Sequence, residues 1–441
     1  MAKFYCEKKL FGKKVCRPIV ESTEEMLNCS DRDVLLEIRN LDVTYGNGVK
    51  RFKAIKDVSF NVYDGEVLGL VGESGSGKST IGRTLVGLTP HSFGHIKILD
   101  TVMPKNVNKG FKFGKNKKKI LDFLINKVQM IFQDPTNSLN PYKNVETVVG
   151  EGLTNLKAAK FIYLYNYDAE FFVTLNQRIR ERNLKPLFED FEKLAKETPA
   201  DHKESYQKYF VQTYRELIKA TNQDARYQEF IPYFNESIQT RKEMDKLSER
   251  ACRKKLILQI LNLVGLDDSV LGRYPLEFSG GQQQRLGICR AVVLQPKLLI
   301  ADEPISALDV SIQAQVINIF NELKEKFNLT IVFIAHDLRM VEYISDRIAI
   351  LNKGVLVEIG PTNEIMKHPM HPYTKSLLDA VPSIDSEKGS LLGYIYNPEM
   401  HEYDMETQPK WQDLGNQHFV LATDEELETF KELQKQNFKE I

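Results

Sequence analysis

The first residues of chemical interest lie between Gly72 and Thr80, where the chain runs GESGSGKST after an apolar stretch. The segment from Gly72 to Ser79 fits the phosphate-loop pattern G-x-x-x-x-G-K-S/T. Backbone N–H groups of such a loop must surround a polyanion at close range, and side chains at the glycines would obstruct that approach. The residues expected to contact bound phosphate are Gly72, Ser74, Gly75, Ser76, Gly77, Lys78, Ser79 and Thr80.

Lys78 and Ser79 supply the charged and metal-binding groups of this loop. The Lys78 ammonium can reach the β- and γ-phosphates of a nucleotide, and the Ser79 hydroxyl is placed to bind Mg²⁺. A helix that begins at Lys78 would add its positive N-terminal end. Taken alone, the motif has a competing interpretation as a chance glycine-rich turn.

A pair of carboxylates, Asp302 and Glu303, occurs more than two hundred residues later. The apolar run from Lys297 to Ala301 predicts a buried strand that delivers both to its carboxyl end. A Mg²⁺–nucleotide site needs one carboxylate for the metal and can use a second to polarise the attacking water. An Asp-Glu pair after an apolar strand is common on its own, but here it follows a phosphate loop in the order that such a site requires.

Two further polar residues end predicted strands. Gln133 ends the run that begins at Val128, and His336 follows the predicted strand from Thr330 to Ala335. Open α/β sheets bind ligands at the carboxyl ends of their strands. Because the other motifs are present, we favour a γ-phosphate contact for His336 over a structural role.

A second glycine-rich turn has the sequence FSGGQQQR and begins at Phe278. Two glycines and a serine at a helix start can bind an anion, and a plain N-cap at Ser279 is the alternative. The additional candidates for nucleotide binding are Ser279, Gly280, Gly281 and Gln282.

Tyr45 lies ahead of the phosphate loop, between two predicted antiparallel strands, Leu35 to Val43 and Lys53 to Val62. An aromatic ring there can stack on a purine. On its own, the residue favours a packed tyrosine at a strand end.

The elements around these motifs predict an α/β P-loop fold with an antiparallel β subdomain, a helical subdomain and a C-terminal extension. The stretch from Leu156 to Arg250 has no glycine and is dense in Tyr, Phe, Lys and Glu. Its apolar residues recur at helical spacing, which predicts amphipathic helices that form a core rather than a ligand site. The two series are Tyr206, Phe210, Tyr214, Leu217 and Leu187, Phe191, Leu194.

Two charged segments predict little regular structure. Met1 to Asp33 is expected to be a loosely held arm, with a partly disordered terminus as the favoured interpretation. Lys105 to Lys119 carries seven lysines and is expected to be a solvated loop, with a contact to anionic lipid or nucleic acid as the alternative.

The composition limits the classes of function. The chain has 441 residues with 60 basic and 60 acidic side chains, so no overall field draws it to nucleic acid or to an acidic membrane. No apolar run approaches the ~18 residues of a membrane span, and a signal peptide is not expected. The cysteines are Cys6, Cys16, Cys29, Cys252 and Cys289. None form Cys-x-x-Cys, and we expect reduced thiols rather than disulfides or zinc ligands.

Together, the motifs resemble those of the nucleotide-binding subunit of an ABC transporter, over Val34 to Gly152 and Ala251 to Pro382. The resemblance implies ATP and Mg²⁺ as cofactors. It also implies that two such domains sandwich two ATP molecules, each held by the Walker motifs of one chain and the signature of the other. Ser279 and Gly281 would then serve the partner's nucleotide.

The resemblance implies a role for each remaining candidate. Tyr45 is similar to the aromatic residue that stacks on adenine. Gln133 resembles the Q-loop glutamine, which senses Mg²⁺ and faces the membrane subunit. Asp302 resembles the Walker B carboxylate, Glu303 the catalytic base and His336 the switch histidine. Two more motifs follow the family pattern: the signature, with Phe278 where Leu is usual, and the D-loop, Ser306 to Asp309.

The C-terminal part is similar to the ATPases of oligopeptide and dipeptide importers. The stretch HPMHPYTK from His368, followed by LLDAVP, carries this likeness. The segment from Pro409 to Glu426 is similar to the tail of the OppF-type subunit rather than its OppD-type sibling. No cysteine follows Cys289, so we expect none of the iron–sulfur clusters that some of these ATPases carry.

The resemblance therefore implies an ATPase that powers oligopeptide import at the cytoplasmic face of the membrane. Its partners would be an OppD-type sibling ATPase, two membrane permease subunits and, indirectly, an extracellular peptide-binding protein, without nucleic acid. The rival class is a soluble ABC ATPase that acts on ribosomes or DNA. A non-catalytic regulatory subunit is disfavoured because Glu303 and His336 are both present. The expected domains are an arm (1–33), the ATPase domain (34–382, with a helical insertion at 155–250) and a tail (383–441).

Overall fold

The structure is a computed structural model of the chain. It describes residues 4–8, 14–46, 48–107, 115–156, 159–188, 207–306, 308–379, 396–401, 403 and 407–437. The described chain divides into two compact units. We call Met1–Ser138 with Ser279–Ile441 the sheet unit, and Leu139–Phe278 the helical unit. Parts of several sequence predictions lie outside the described residues, among them those on Phe191, Leu194, Tyr206 and Ala307.

The strands all belong to the sheet unit. In chain order they are β1 (Phe4–Lys8), β2 (Lys14–Pro18), β3 (Val34–Tyr45), β4 (Phe52–Tyr63), β5 (Val67–Val71), β6 (Phe93–Ile98), β7 (Thr101–Val102), β8 (Val128–Ile131), β9 (Leu298–Asp302), β10 (Thr330–Ala335), β11 (Arg347–Asn352), β12 (Val355–Pro361), β13 (Lys410–Asp413) and β14 (Phe419–Ala422).

The α-helices are α1 (Glu21–Leu27), α2 (Lys78–Leu85), α3 (Lys115–Lys127), α4 (Pro135–Ser138), α5 (Val145–Val149), α6 (Glu151–Leu156), α7 (Ala159–Glu181), α8 (Gln212–Gln223), α9 (Phe230–Asp245), α10 (Glu249–Leu263), α11 (Gly280–Val292), α12 (Val310–Phe327), α13 (Leu338–Glu342), α14 (Thr362–Lys367), α15 (Pro372–Asp379) and α16 (Asp424–Asn437). Shorter helical turns occur at Gly48–Lys50, Gln207–Val211, Ala225–Glu229, Asp268–Val270, Pro275–Glu277 and Pro398–Met400.

The central sheet of the sheet unit has eight strands in the order β13-β14-β12-β11-β5-β10-β9-β8. The strands β11, β5, β10, β9 and β8 are parallel, and the remaining three continue the sheet with antiparallel pairing. Every residue of β5, β9 and β10 is buried, as expected for strands covered on both faces. The predicted α/β P-loop fold class is confirmed.

A second, antiparallel sheet has the order β4-β3-β6-β7. It contains both strands predicted around Tyr45, each slightly longer than the sequence indicated. Its apolar face joins the core beneath the central sheet, where side chains of β3 and β4 pack with those of β5 and α2.

The N-terminal segment differs from the expected loose arm. β1 and β2 form a hairpin, and Met26 and Leu27 of α1 are buried in the core. Arg17 forms an ion pair with Asp57 at 2.8 Å, so polar contacts add to the apolar burial. The sequence prediction is wrong here because two of the partners, β4 and β13, lie far away in the chain.

Cys6 and Cys16 form a disulfide across this hairpin. The expectation that all five thiols are reduced is therefore wrong for this pair. The two residues stand directly opposite each other in the antiparallel ladder, with their Cα atoms 4.1 Å apart. Cys29, Cys252 and Cys289 are not disulfide-bonded in the described part of the chain.

The lysine-rich segment is partly helical, because Lys115–Lys119 form the first turns of α3. Lys118 and Lys119 are exposed as expected, but Leu124 of the same helix is buried against the core. The apolar residues that follow the lysines thus turn part of the predicted loop into an amphipathic helix.

The helical unit has its own aromatic core, which includes Phe171, Phe172, Phe210 and Phe234. The rings of Phe171 and Phe210 are stacked with their centroids 5.5 Å apart. This confirms, for the described residues, the prediction of helices that pack on each other around apolar stripes. Leu187 lies in a bend rather than in the predicted helix. The unit is also wider than the segment 155–250.

Within the described ranges, no helix combines the length and the apolar character needed to cross a membrane.

Candidate nucleotide site

The phosphate loop connects β5 to α2 at the carboxyl edge of the parallel strands. Gly72 is required because a Cβ there would lie 2.1 Å from the carbonyl oxygen of Leu351. Gly77 has φ +108°, and a Cβ there would lie 2.5 Å from the Ile55 side chain. Close contacts within the protein therefore exclude a side chain at these two positions. A side chain at Gly75 would meet no neighbour, but the positive φ of +81° there favours glycine.

The Lys78 side chain is 3 % exposed. Its Nζ donates to the carbonyl oxygens of Gly72, at 2.6 Å, and Glu73, at 2.8 Å. Burial lowers the pKa of Lys78, and the nearby carboxylates of Glu303 and Asp302 oppose that change. The ammonium is thus held in the loop by neutral acceptors.

Ser79 and Asp302 are joined by a hydrogen bond in which the serine Oγ donates to Oδ1 of the carboxylate, at 2.7 Å. Asp302 is the last residue of β9. Burial raises its pKa, and the hydrogen bond from Ser79 and the charge of Arg83 oppose the rise. The pair brings two oxygen ligands of the kind Mg²⁺ prefers to one point.

Glu303 follows directly and has a left-handed backbone conformation with φ +45°, which costs about 1–3 kcal/mol for a residue other than glycine. Its N–H donates to the carbonyl of Ile334 at 3.0 Å. Its Oε2 accepts from Nε2 of Gln133 at 3.0 Å and lies 3.6 Å from Nδ1 of His336. Gln133 and His336, which were predicted at the ends of two other strands, therefore both lie beside the Glu303 carboxylate.

These groups surround an open cleft of about 520 Å³. The predicted residues that line it are Tyr45, Ser74, Gly75, Gly77, Lys78, Ser79, Thr80, Gln133, Glu303 and His336. Gly72 and Asp302 lie behind the lining, bonded to Lys78 and Ser79 respectively. Ser76 is buried behind it as well, with its carbonyl accepting from the N–H of Gly354.

The mouth of the cleft has two aromatic rings where the sequence predicted one. Tyr45 is 42 % exposed, and its hydroxyl donates to Oγ1 of Thr80 at 3.3 Å. Phe52 is 64 % exposed and pairs with Tyr45 across β3 and β4. Sequence reasoning missed Phe52 and Ala54, although the antiparallel pairing of the two predicted strands was a signal that would have placed Phe52 opposite Tyr45.

The second glycine-rich turn does not line this cleft. Ser279 is the N-cap of α11, where its Oγ accepts from the N–H of Gln282 and the Gln282 side chain accepts from the N–H of Ser279. Gly280 and Gly281 form the first turn of the same helix. The structure thus brings the phosphate-loop residues together with Asp302 and Glu303. It places Ser279 to Gln282 at a separate helix start that is already capped.

The cleft therefore offers a buried cation, a hydroxyl–carboxylate pair, and a carboxylate flanked by an amide and an imidazole. The chemistry of this set suits a nucleotide, because a cation and hydroxyl groups can bind phosphate and exposed aromatic rings can stack on a base. A carboxylate such as that of Glu303 can accept a proton from water or orient it, either of which assists phosphate hydrolysis.

Two family models match the chain. Residues 55–306 match the family described as ABC transporter. Residues 357–405 match the family described as oligopeptide/dipeptide transporter, C-terminal region.

Individual proteins are similar to this chain as well. The oligopeptide transport ATP-binding protein OppF of Streptococcus pyogenes is 36% identical over 90% of this chain and 98% of its own length. The dipeptide transport ATP-binding protein DppF of Lactococcus lactis is 36% identical over 90% of this chain and 96% of its own. Among solved structures, cbiO1 of Clostridium perfringens has a TM-score of 0.48 at 18% identity, covering 76% of this chain and 92% of that one.

Proposed function

This chain belongs to the ABC transporter family as an ATPase, and we propose that its ATP hydrolysis powers the import of oligopeptides through separate membrane subunits. The observation that carries the proposal is the match of residues 357–405 to the C-terminal region of oligopeptide and dipeptide transporters. Relatives named for peptide transport align over 90% of the chain, and the cleft retains a full set of candidate catalytic groups.

In this proposal, the phosphate loop binds ATP. Lys78 neutralises charge on the β- and γ-phosphates, and Tyr45 stacks on the adenine. The remaining loop contacts come from Gly72, Ser74, Gly75, Ser76, Gly77, Ser79 and Thr80.

The residues for Mg²⁺ in this proposal are Ser79, Asp302 and Gln133. The fit rests on their chemistry, since hydroxyl, carboxylate and amide oxygens are hard ligands, and on the existing contact between Ser79 and Asp302. When bound, the ion would neutralise charge on the phosphates.

Glu303 is the general base of the proposed hydrolysis. Its Oε2 takes a proton from the attacking water, accepts a hydrogen bond from Nε2 of Gln133 at 3.0 Å and lies 3.6 Å from Nδ1 of His336. His336, 55 % exposed at its side chain, is free to contact the γ-phosphate. Preorganised groups of this kind stabilise the charge that develops in phosphoryl transfer.

The signature residues serve a second nucleotide in this proposal. Ser279, Gly280, Gly281 and Gln282 do not line the cleft of their own chain, which supports a role towards ATP held by an OppD-type sibling ATPase. Two permease subunits would conduct the peptide, delivered by an extracellular binding protein, with this chain at the cytoplasmic face of the membrane. The alternative, a soluble ABC ATPase acting on ribosomes or DNA, is disfavoured by the C-terminal match.

We further propose that residues 34–382 act as the ATPase domain, with 1–33 and 383–441 as its terminal extensions. The helical insertion at 155–250 has an aromatic core of its own, which supports a role separate from nucleotide binding.

Proteoliposomes with this chain, the sibling ATPase and two permeases test the proposal through uptake of a labelled peptide. Glu303→Gln should keep ATP binding and lose hydrolysis about 100-fold or more, as for a lost general base. Ser279→Arg should block the partner's site and stop uptake. Ser269→Arg, at an exposed serine of the helical unit, is the matched control and should transport normally.

Two results would overturn the proposal. The first is peptide uptake that Ser279→Arg leaves unchanged. The second is an absence of uptake for every peptide, combined with hydrolysis that ribosomes or DNA stimulate.

A further inference from the structure

Tyr373 joins the C-terminal region to the phosphate loop. Its side chain is 1 % exposed, and its hydroxyl oxygen accepts a hydrogen bond of 2.8 Å from the backbone N–H of Glu73. Glu73 is the second residue of the loop, and the two partners are 300 positions apart in the chain. The tyrosine does not line the cleft, so any effect on the nucleotide must pass through the loop.

The peptide unit between Gly72 and Glu73 provides that connection. Its N–H is the group bound to Tyr373, and its carbonyl oxygen, which belongs to Gly72, accepts from Nζ of Lys78 at 2.6 Å. A peptide unit is planar, and in the trans form found here its N–H and C=O point in opposite directions. Holding the N–H therefore fixes the direction of the carbonyl, and polarisation along the chain strengthens both hydrogen bonds.

We infer that Tyr373 is a positioning residue for ATP, which sets the orientation of the Gly72–Glu73 peptide unit and, through it, of the Lys78 ammonium. This inference rests on the proposed role of Lys78 in binding phosphate. It assigns to the C-terminal region a part in nucleotide binding at the chain's own cleft.

Tyr373 is itself held by the helix start on which it lies. It occupies the second position of α15, after Pro372, and its N–H donates to Nδ1 of His371 at 3.1 Å. Burial lowers the pKa of His371 to about 3, so the ring is neutral at pH 7 and keeps a lone pair for this bond.

A buried carboxylate fixes the turn that leads into this helix. Glu358 of β12 is 0 % exposed and accepts from the N–H groups of Met370, at 2.8 Å, and His371, at 3.0 Å. It also accepts from the hydroxyl of Thr374 and lies 2.7 Å from Nε2 of His418, next to β14. Four partners satisfy one carboxylate, so the turn, and Tyr373 with it, has a defined place.

The variant Tyr373→Phe removes the hydroxyl and keeps the ring. We expect KM for ATP to rise about 3- to 10-fold, the range for one lost hydrogen bond, with kcat in the assembled transporter within about twofold. Inhibition by tripolyphosphate, which has no base, should weaken by the same factor, whereas inhibition by adenosine should not change. An unchanged KM, or an equal loss of adenosine and tripolyphosphate binding, would overturn the inference.

Two further variants show whether an effect of Tyr373→Phe comes from positioning of the loop, from a general loss of stability or from a failure of the proposed function. Tyr227→Phe in the helical unit removes another buried hydroxyl, which donates to the Lys185 carbonyl at 2.6 Å, and should leave KM unchanged. An equal rise in both tyrosine variants contradicts positioning. Lys78→Met should weaken ATP binding strongly. If it does and Tyr373→Phe does not, only this inference fails; if Lys78→Met has no effect, the proposed phosphate contact fails first.

Discussion

Lys78 of the sheet unit and Arg241 of the helical unit are both almost fully buried cations, at 3 % and 1 % exposed, yet they are satisfied in different ways. Lys78 is held by two carbonyl oxygens. Arg241 is paired with the carboxylate of Asp168, which Nε contacts at 2.7 Å and Nη2 at 3.4 Å. Lys78 makes its hydrogen bonds to neutral carbonyl groups, with the carboxylates of Glu303 and Asp302 nearby but not bonded to it. Arg241 instead forms a direct ion pair with Asp168.

The different partners of Lys78 and Arg241 suggest different roles for the two buried cations. A buried cation that is hydrogen-bonded only to neutral groups costs desolvation energy, and an anionic ligand can recover part of that cost. The Arg241–Asp168 pair is buried within the helical unit, and removal of one partner would leave an unpaired buried charge that destabilises this unit. Removing each cation should therefore produce opposite patterns of stability and binding.

Arg241→Leu should have the largest effect on folding. It leaves Asp168 buried without its partner, which costs about 3–5 kcal/mol, measured by urea unfolding of the full chain. The double variant Arg241→Met with Asp168→Leu should recover most of the loss. A double variant as unstable as the single one would contradict the comparison.

The same variant has a predicted pH dependence. Burial already raises the pKa of Asp168 to about 6 in the native protein, against 3.8 for an unperturbed aspartate. The folded state of Arg241→Leu therefore binds a proton that the unfolded chain releases near pH 4. Loss of the Arg241 charge, which lowers the pKa of Asp168, raises that pKa further. Relative to the native protein, the stability lost in this variant should therefore be smallest at acidic pH and grow as the pH rises to 6 and above.

Lys78→Met should show the reverse pattern. ATP affinity should fall about 10- to 100-fold, as for the loss of charge-assisted hydrogen bonds, while the free energy of unfolding without nucleotide stays the same or rises, because a buried charge is removed. Fluorescence titration with a labelled ATP analogue gives the first quantity and urea unfolding the second. A variant that unfolds easily and binds ATP normally would show that Lys78 resembles Arg241 after all.

His371 gives a third case, because this buried imidazole is neutral at pH 7, unlike Lys78 and Arg241. Its folded pKa of about 3 lies below the usual 6.5, so the unfolded chain binds the extra proton and stability falls with acidification below pH 6.5. The slope contributed is at most about 1.4 kcal/mol per pH unit. His371→Asn retains an acceptor for the Tyr373 N–H and should flatten the pH dependence between 7 and 5. An identical slope in both proteins would contradict a neutral His371.

The candidate site was predictable where the chemistry is local in sequence. Lys78, Asp302 and His336 each follow a buried strand within a few residues, and parallel strands end at one edge of a sheet. The sequence therefore predicts that these side chains lie near one another. In the structure, Lys78 and His336 line one cleft, and Asp302 lies behind its lining, bonded to Ser79.

The remaining features depend on contacts between distant segments. No local pattern pairs Cys6 with Cys16, because the pairing follows from hairpin register. α1 becomes ordered through packing on β13 and β4. Tyr373 lies within a motif typical of the family, yet its link to Glu73 appears only once β12 and α15 are placed beside the loop.

The hydrogen bond from the Trp411 N–H to Ser22 joins residues that are 389 positions apart. This contact can therefore form only late in synthesis of the chain. At about 5–20 residues per second, Ser22 leaves the ribosome roughly 20 to 80 s before its partner exists. The helical unit, continuous from Leu139 to Phe278, has all its residues long before then. We therefore expect the helical unit to fold early during synthesis. Helix α1 and the edge of the central sheet remain exposed, and accessible to chaperones, until the last strands have been translated.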